Sequence, residues 1–325
     1  MSIVLGRGQC GAHITLLFTI DDSSEDPVHQ GSRGAGICLK DGVEAIAKGE
    51  KGSGEIIVRF KYEEYESRMY QDVLSELINE IPEIGNFDWE LDIIMTLPTS
   101  QGFGMSASGA VASSMAIQRA IGIPHEECVR RSFLVAHIVE RNRSSGLGDT
   151  TALSSGGVER RIAAGSPFSG SLLVNGPGVS QGWSVEIPIL ICWKEKTGRH
   201  TSSYIDSEDW REKICRAGEH AMERIAEGEW KENRWQELIE ESLRFSSESG
   251  LEVDASRLEI ISAANNAIDS SGFSDNLSAM LCMLGESVVI VPNDPHRKED
   301  WINKISEELK EYGLSSFSSR VGELR

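Results

Sequence analysis

The chain has 325 residues, with 51 acidic side chains against 32 basic ones and a formal net charge of −19 at pH 7. That length carries two domains with a shared interface, and the acidic surplus argues against nucleic acid or an anionic membrane surface as partner. Six cysteines, at positions 10, 38, 128, 192, 215 and 282, form no CxxC pair. They read as free thiols in a reducing cytoplasm, without zinc. No basic n-region precedes the first apolar run and no stretch is long enough to span a bilayer, so a soluble cytoplasmic protein is expected.

In chain order, Ile3 to Ile20 reads as an edge strand whose glycines mark a bulge. Asp21 to Asp26 is an acidic loop. Gly31-Ser32-Arg33-Gly34-Ala35-Gly36 reads as a tight turn able to hold a carboxylate through Arg33, Ser32 and backbone amides. Gly54 to Phe60 alternates like a strand, and Tyr62 to Glu80 has the spacing of a helix.

Leu91 to Leu97 is an apolar run that reads as a buried strand, stopped by Pro98. Gly102, Gly104, Ser106, Ser108 and Gly109 then crowd a short turn, and Ala107 to Ala120 is small and helix-prone. A glycine- and serine-rich loop that opens a helix is a phosphate cradle, because free N–H groups and the positive end of the helix dipole face the anion. A Walker loop is excluded, since no lysine lies between Lys61 and Lys194. A GxGxxG fingerprint is excluded by the spacing of Gly102, Gly104 and Gly109. The plain alternative is a loop that serves only tight helix–sheet packing.

A helix is expected from His125 to Arg143, with Pro124 at its entry. His137, Glu140 and Arg141 fall at i, i+3 and i+4 on adjoining positions of one face. Ser144-Ser145-Gly146-Leu147-Gly148 then delivers Asp149, followed by a small-residue run to Gly157. Arginines 130, 131, 141, 143, 160 and 161 crowd this region, the local excess an anion-binding cleft requires. Each residue has a bland reading: His137 as a core histidine, Glu140 as a surface partner of Arg141 or Arg143, Asp149 as a helix cap. Together, downstream of a phosphate loop, they supply a metal carboxylate, a base carboxylate and cations.

Gly170 to Gly182 reads as a loop or hairpin, and Trp183 to Trp193 opens a second unit. Ser207 to Ser246 reads as two helices broken near Gly228, and Ser256 to Ser270 as another helix. Asn276 to Pro292 holds a turn at Gly285-Glu286 and a strand at Val288 to Val291. A last helix runs from Lys298 to Tyr312, and no repeat is present.

Gly11-Ala12-His13-Ile14-Thr15, Gly31 to Gly36, LPTSQGFGMSASGA, AHIVERNRSSGLGD and AMLCMLGESVVIV together resemble the archaeal pantoate kinases, a family within the GHMP kinases. The resemblance covers most of the chain, with the motifs in family order. It implies an α+β fold of two domains. These are a ribosomal protein S5 domain 2-like nucleotide-binding domain over 1–182 and a ferredoxin-like domain over 183–325 that closes over the substrate. It also implies ATP with Mg²⁺, transfer of the γ-phosphoryl group to the 4-hydroxyl of pantoate in coenzyme A biosynthesis, and a homodimer. By the same resemblance, Pro98, Gly102, Gly104, Ser106, Ala107 and Ser108 bind nucleotide. Ser106 and Glu140 hold the metal, and Asp149 accepts the hydroxyl proton. Ser32, His137 and Arg161 hold the pantoate beside Arg33, with Arg160 as the alternative to Arg161.

Two departures from the wider GHMP pattern favour this family. Gly11-Ala12-His13 stands where the first motif has a lysine or arginine, and Ser270 to Gly285 has few glycines for a third motif. The segment Glu140 to Asp149 is also shorter than in mevalonate kinases. Another small hydroxy acid or alcohol (homoserine, mevalonate or shikimate) is the second reading. A catalytically silent nucleotide-binding relative is the third, and it has no chemical need for both Glu140 and Asp149.

Overall fold

The two longest strands form from glycine-spaced sequence. In the computed structural model, which describes residues 3–62, 65–195 and 208–324, β1 (Val4–Phe18) and β2 (Gly34–Lys51) pair antiparallel along most of their length. β1 is a strand at the margin of its sheet with bulges between Gly11 and His13 and between Thr15 and Leu17, as its glycines predict. The turn expected over Gly31 to Gly36 is shorter: Gly34 to Gly36 already belong to β2.

β2 is the spine of a six-stranded sheet. Past β3 (Ile56–Phe60) and α1 (Arg68–Glu80), β4 (Phe87–Met95) pairs with its second half. β3 runs parallel to β4, with α1 as the crossover. The helix expected from Tyr62 starts only at Arg68, and residues 63 and 64 of that span lie outside the described residues.

α2 (Met105–Ala120) starts two residues before the expected Ala107, so Ser106, Ser108 and Gly109 are helical and the turn closes at Gly104. Its alanines, serines and glycine are buried on nearly every side, between the β1–β2 pair and α3 (His125–Asn142). Buried Ser113 bonds back to the Gly109 carbonyl at 2.8 Å, which satisfies its hydroxyl without a tertiary partner. α3 keeps the expected bounds because Pro124 sets its start. α4 (Asp149–Ser155) leads into β5 (Val158–Ala163), which pairs with the start of β2. The short β6 (Phe168–Ser169) and β7 (Val174–Asn175) form the expected hairpin, and β8 (Val179–Trp183) completes the sheet beside β5.

The chain changes sheets between Trp183, which pairs with Val158, and Pro188. β9 (Pro188–Trp193) is followed by α5 (Glu208–Ile225), α6 (Trp235–Ser249) and α7 (Ala255–Ser270). Gly228, with φ +77, lies in the break between the first two helices, and Ser207, where that tract was expected to open, lies outside the described residues. β10 (Leu277–Leu281), β11 (Ser287–Pro292), α8 (Ile302–Glu311) and β12 (Ser315–Arg320) follow. The antiparallel order β10-β11-β9-β12 is a split βαβ arrangement. None of the six cysteines forms a disulfide, and no helix among the described residues is long and apolar enough to cross a membrane.

The two sheets meet at the glycine loop. Ser287 donates to the Gln101 carbonyl at 2.5 Å, and the Met283 amide donates to the Thr15 carbonyl at 2.9 Å. That junction is where the cavity opens.

Candidate active site

A cavity of about 390 Å³ runs from the loop before α2 to the loop before α4, within the range of small-molecule sites. Gly102 and Gly104 line it with φ of +79° and +59°, a conformation that costs glycine little and brings the backbone to the cavity wall. Gly104 caps α2, so the first amides of a sixteen-residue helix have no intrahelical acceptor and face the same space.

Ser106, in the first turn of α2, donates to Glu140 Oε1 at 2.7 Å. The Ser145 hydroxyl also reaches Oε1, at 3.0 Å, and the Gly146 amide donates to Oε2 at 2.8 Å. Burial pushes the Glu140 carboxyl above the usual range, the negative charge of Asp149 adds to the rise, and the three donors oppose it. A carboxylate and a hydroxyl, both hard oxygen donors on the wall of a cavity, suit Mg²⁺.

Asp149 is the first residue of α4 and lines the cavity. A Cβ placed on Gly146 would fall 2.3 Å from Glu140 Oε2 and 2.8 Å from Asp149 Oδ2, so only glycine fits between the two carboxylates. Burial would raise the Asp149 pKa, but the bond and charge of His13, helped by Arg161, hold it below the usual range. His13, fully buried on β1, places Nδ1 2.6 Å from Asp149 Oδ1. Its Nε2 lies 3.0 Å from Glu159 Oε1 on β5. Burial opposes its proton, yet the two carboxylates prevail and its pKa is raised.

The structure brings Ser32, Gly102, Gly104, Ser106, Glu140 and Asp149 to one cavity. The other residues expected to bind nucleotide or substrate stand back from it. Ser108 bonds the Cys10 carbonyl at 2.8 Å, Ala107 is buried within α2, and Pro98 sits in the turn after β4. Arg33 points away and pairs with Glu219 on α5. His137 is a satisfied core residue: the Pro27 carbonyl at 3.0 Å can only accept, so Nε2 carries the hydrogen and Nδ1 accepts from Thr150 at 3.0 Å. Burial pushes its pKa down to about 4, so the ring is neutral.

Arg161 lies behind the wall. It pairs with Glu159 at 3.2 Å, and its Nε and Nη2 have no partner among the described residues although the residue is wholly buried. A Cβ on Gly148 would fall 2.3 Å from Ser32 Oγ and 2.9 Å from Arg161 Nε, so Ser32 and Arg161 flank that glycine. Arg160 faces the opposite way, bonding Gln181 and the carbonyls of Ile225 and Gly228, with its guanidinium over Trp230. The arginine excess is thus largely spent inside the fold. Arg130 bonds the Leu173 carbonyl, Arg131 pairs with Glu127, and Arg141 bonds Gln30 and the Gly146 carbonyl. Of the six, Arg143 lines the cavity, tethered to Asp72 at 2.7 Å.

Two features escaped the sequence reading of the site. His13 was read only as a departure from a motif, although it contacts Asp149. The far end of the cavity is an apolar and aromatic wall of Phe60, Tyr65, Met69, Tyr70 and Met95, with Phe60 5.3 Å from Tyr65 and 5.7 Å from Tyr70 between ring centroids. The dense aromatics between Phe60 and Tyr70 were its one sequence signal.

Residues 68–157, from α1 through α4, match the family described as GHMP kinases N terminal domain, and the fold of the chain is that of the GHMP kinases. Within that class the sequence is similar to pantoate kinases. It is 34% identical over 177 residues to the one from Thermococcus kodakarensis, covering 51% of this chain and 55% of that one. It is 28% identical over 158 residues to the one from Methanospirillum hungatei, covering 48% and 52%. The chain thus spans about half the length of the curated relatives it matches. A solved structure described as a phosphotransferase related to the CoA biosynthesis pathway superposes with a TM-score of 0.76 at 24% identity, covering 98% of this chain and 96% of that one.

Proposed function

We propose that this protein is a small-molecule kinase that moves the γ-phosphoryl group of ATP to the 4-hydroxyl of pantoate, giving 4-phosphopantoate. The observation that carries the reading is the meeting of three groups in one cavity: the α2 N-terminus, the Ser106–Glu140 pair at 2.7 Å, and Asp149 on the other side of Gly146. The similarity to pantoate kinases supports the choice of substrate.

The loop glycines and α2 amides receive the phosphates, and the wall around Phe60 and Tyr70 receives the base. Glu140 and Ser106 would hold Mg²⁺, which neutralises charge on the phosphate oxygens. The hydroxyl oxygen bonds to the γ-phosphorus as the bond to the departing ADP oxygen breaks, and the hydroxyl proton passes to Asp149. Ser32, on the cavity wall, is the group for the substrate carboxylate, and the charge of Arg161 supports it from behind Gly148, where the Arg161 Nε lies beside the Ser32 hydroxyl. His137 contributes from behind, fixing Thr150 next to Asp149. Residues 1–182 form the nucleotide-binding domain and 183–325 the domain that closes the cavity, in a cytoplasmic homodimer of archaeal type.

The test is ADP release from Mg²⁺-ATP over a panel of pantoate, homoserine, mevalonate and shikimate. Turnover with pantoate alone, lost in Asp149→Asn, supports the reading. Turnover with another acceptor removes pantoate and with it the roles of Ser32 and Arg161.

A further inference from the structure

His13 is placed between two carboxylates, and hydrogen-bond chemistry restricts its state. Nδ1 faces Asp149 Oδ1 at 2.6 Å and Nε2 faces Glu159 Oε1 at 3.0 Å. A neutral imidazole has one N–H and one lone pair, so it would turn a lone pair toward one ionised carboxylate. An imidazolium donates to both. Arg161 Nη1 closes on the same Glu159 oxygen at 3.2 Å, so the charges along the line alternate in sign. His13, Glu159 and Arg161 are fully enclosed.

We propose that Glu159 and His13 are positioning residues for Asp149: Glu159 holds His13 as an imidazolium, and His13 fixes Oδ1 of Asp149 so that Oδ2 is the oxygen left for the substrate hydroxyl. The inference rests on the phosphoryl-transfer reading given above. Its physical need is local. Asp149 lines the cavity and meets the enclosed His13 ring through Oδ1, so the ring is the group in contact with it. A cation in contact with Asp149 keeps that carboxylate ionised, and His13 makes the contact whereas Arg161 bonds Glu159. The charged groups on the ring are Asp149 from α4 and Glu159 from β5, with Arg161 of β5 on the far side of Glu159; Cys38, the register partner on β2, turns its thiol to the Ala152 carbonyl. Thr15 on its own strand approaches Nδ1 at 3.5 Å, and Glu140 of α3 stands beyond Asp149.

The deciding experiment is ¹⁵N NMR of the full chain labelled at histidine, without substrate, with the His13 signals assigned by their loss in His13→Gln. The expected result is one ring with both nitrogens protonated through pH 8, whose titration midpoint drops by about one pH unit or more in Glu159→Gln. In turnover, Glu159→Gln lowers kcat ~10-fold at pH 8 with KM for ATP within about twofold, and moves the alkaline limb of kcat to lower pH. A Glu159 that only supports the fold would lower kcat equally at every pH. A His13 ring with one protonated nitrogen at pH 7 overturns the proposal, and this holds on the unmodified protein even where Glu159→Gln does not fold. A Glu159→Gln pH profile that superimposes on the parent's after scaling overturns it as well. Ring protonation is read without substrate, so an imidazolium at His13 in a protein that leaves pantoate untouched supports the charge arrangement and overturns the substrate reading alone.

Discussion

The loop before α2 and the loop before α4 are built from the same materials, glycine and serine leading into a helix, and in the proposed reaction they do opposite work. The first opens a sixteen-residue helix with no acidic side chain in its first turn, so its amides are free for an anion. The second opens a seven-residue helix whose first residue is Asp149, a carboxylate held by His13 at the cavity wall. Loop composition alone does not separate a phosphate cradle from a proton acceptor. The charge on the first helical residue does.

The comparison breaks most sharply at Asp149. Asp149→Asn keeps the shape and removes the acceptor, so turnover falls about 10³-fold or more while ATP still binds, measured by ADP release beside nucleotide titration. On α3, where Glu140 accepts from Ser106 of the first loop's helix, Glu140→Gln lowers turnover on the order of 10²-fold. The same variant raises the melting temperature by about 1–3 °C at pH 7. The sign follows from linkage. The folded-state pKa of Glu140 is raised, so the folded protein binds that proton more tightly than the unfolded chain. Its stabilisation is therefore present below the unfolded pKa and is lost as pH rises through the folded value. Glutamine removes the penalty at neutral pH, and a scan at pH 4 and pH 7 shows the gain only at the higher pH.

Gly104→Ala sharpens the comparison from the backbone side. At φ +59 an added Cβ costs about 1 kcal/mol and meets the His13 carbonyl at 3.1 Å and Asp149 Oδ1 at 3.2 Å. KM for ATP rises several-fold and the melting temperature falls by about 2–4 °C. The smallest effect is at Arg143, which is part-exposed and tethered to Asp72. Arg143→Ala raises KM for ATP by about two- to fivefold, an increase that fades in high salt.

What the sequence made legible were patterns closed by local signals. Pro124 fixed the start of α3, and the apolar run from Leu91 located β4, although that strand begins at Phe87 and ends at Met95, before Pro98 can stop it. β12, Ser315–Arg320, was missed because SSFSSR has neither apolar alternation nor a turn signal, and only pairing with β9 makes it a strand. β5 buries Glu159, Arg160 and Arg161, so its charges disguise it. At the site, Glu140 and Asp149 stood out because they sit close in sequence to each other and to a glycine turn. His13 did not, because its partners are 136 and 146 residues away. The arginine cluster misled for the complementary reason: neighbours along a chain diverge when a helix and a strand send them to different faces.

The small side chains of α2 set an asymmetry in how this helix tolerates change. Its alanines, serines and glycine have almost nothing to trim, so cavity-forming substitutions are confined to its few larger buried side chains, Met105, Val111, Met115, Ile117 and Gln118. Enlargement is the danger, at about 1–3 kcal/mol for each misfit in a packed interior. Sequence drift at the small positions of α2 is therefore confined to exchange among small residues, polar or apolar. A search of distant relatives for a sixteen-residue stretch selected for size rather than hydrophobicity should find this helix, and the anion-facing loop with it, where ordinary hydropathy patterns lose both.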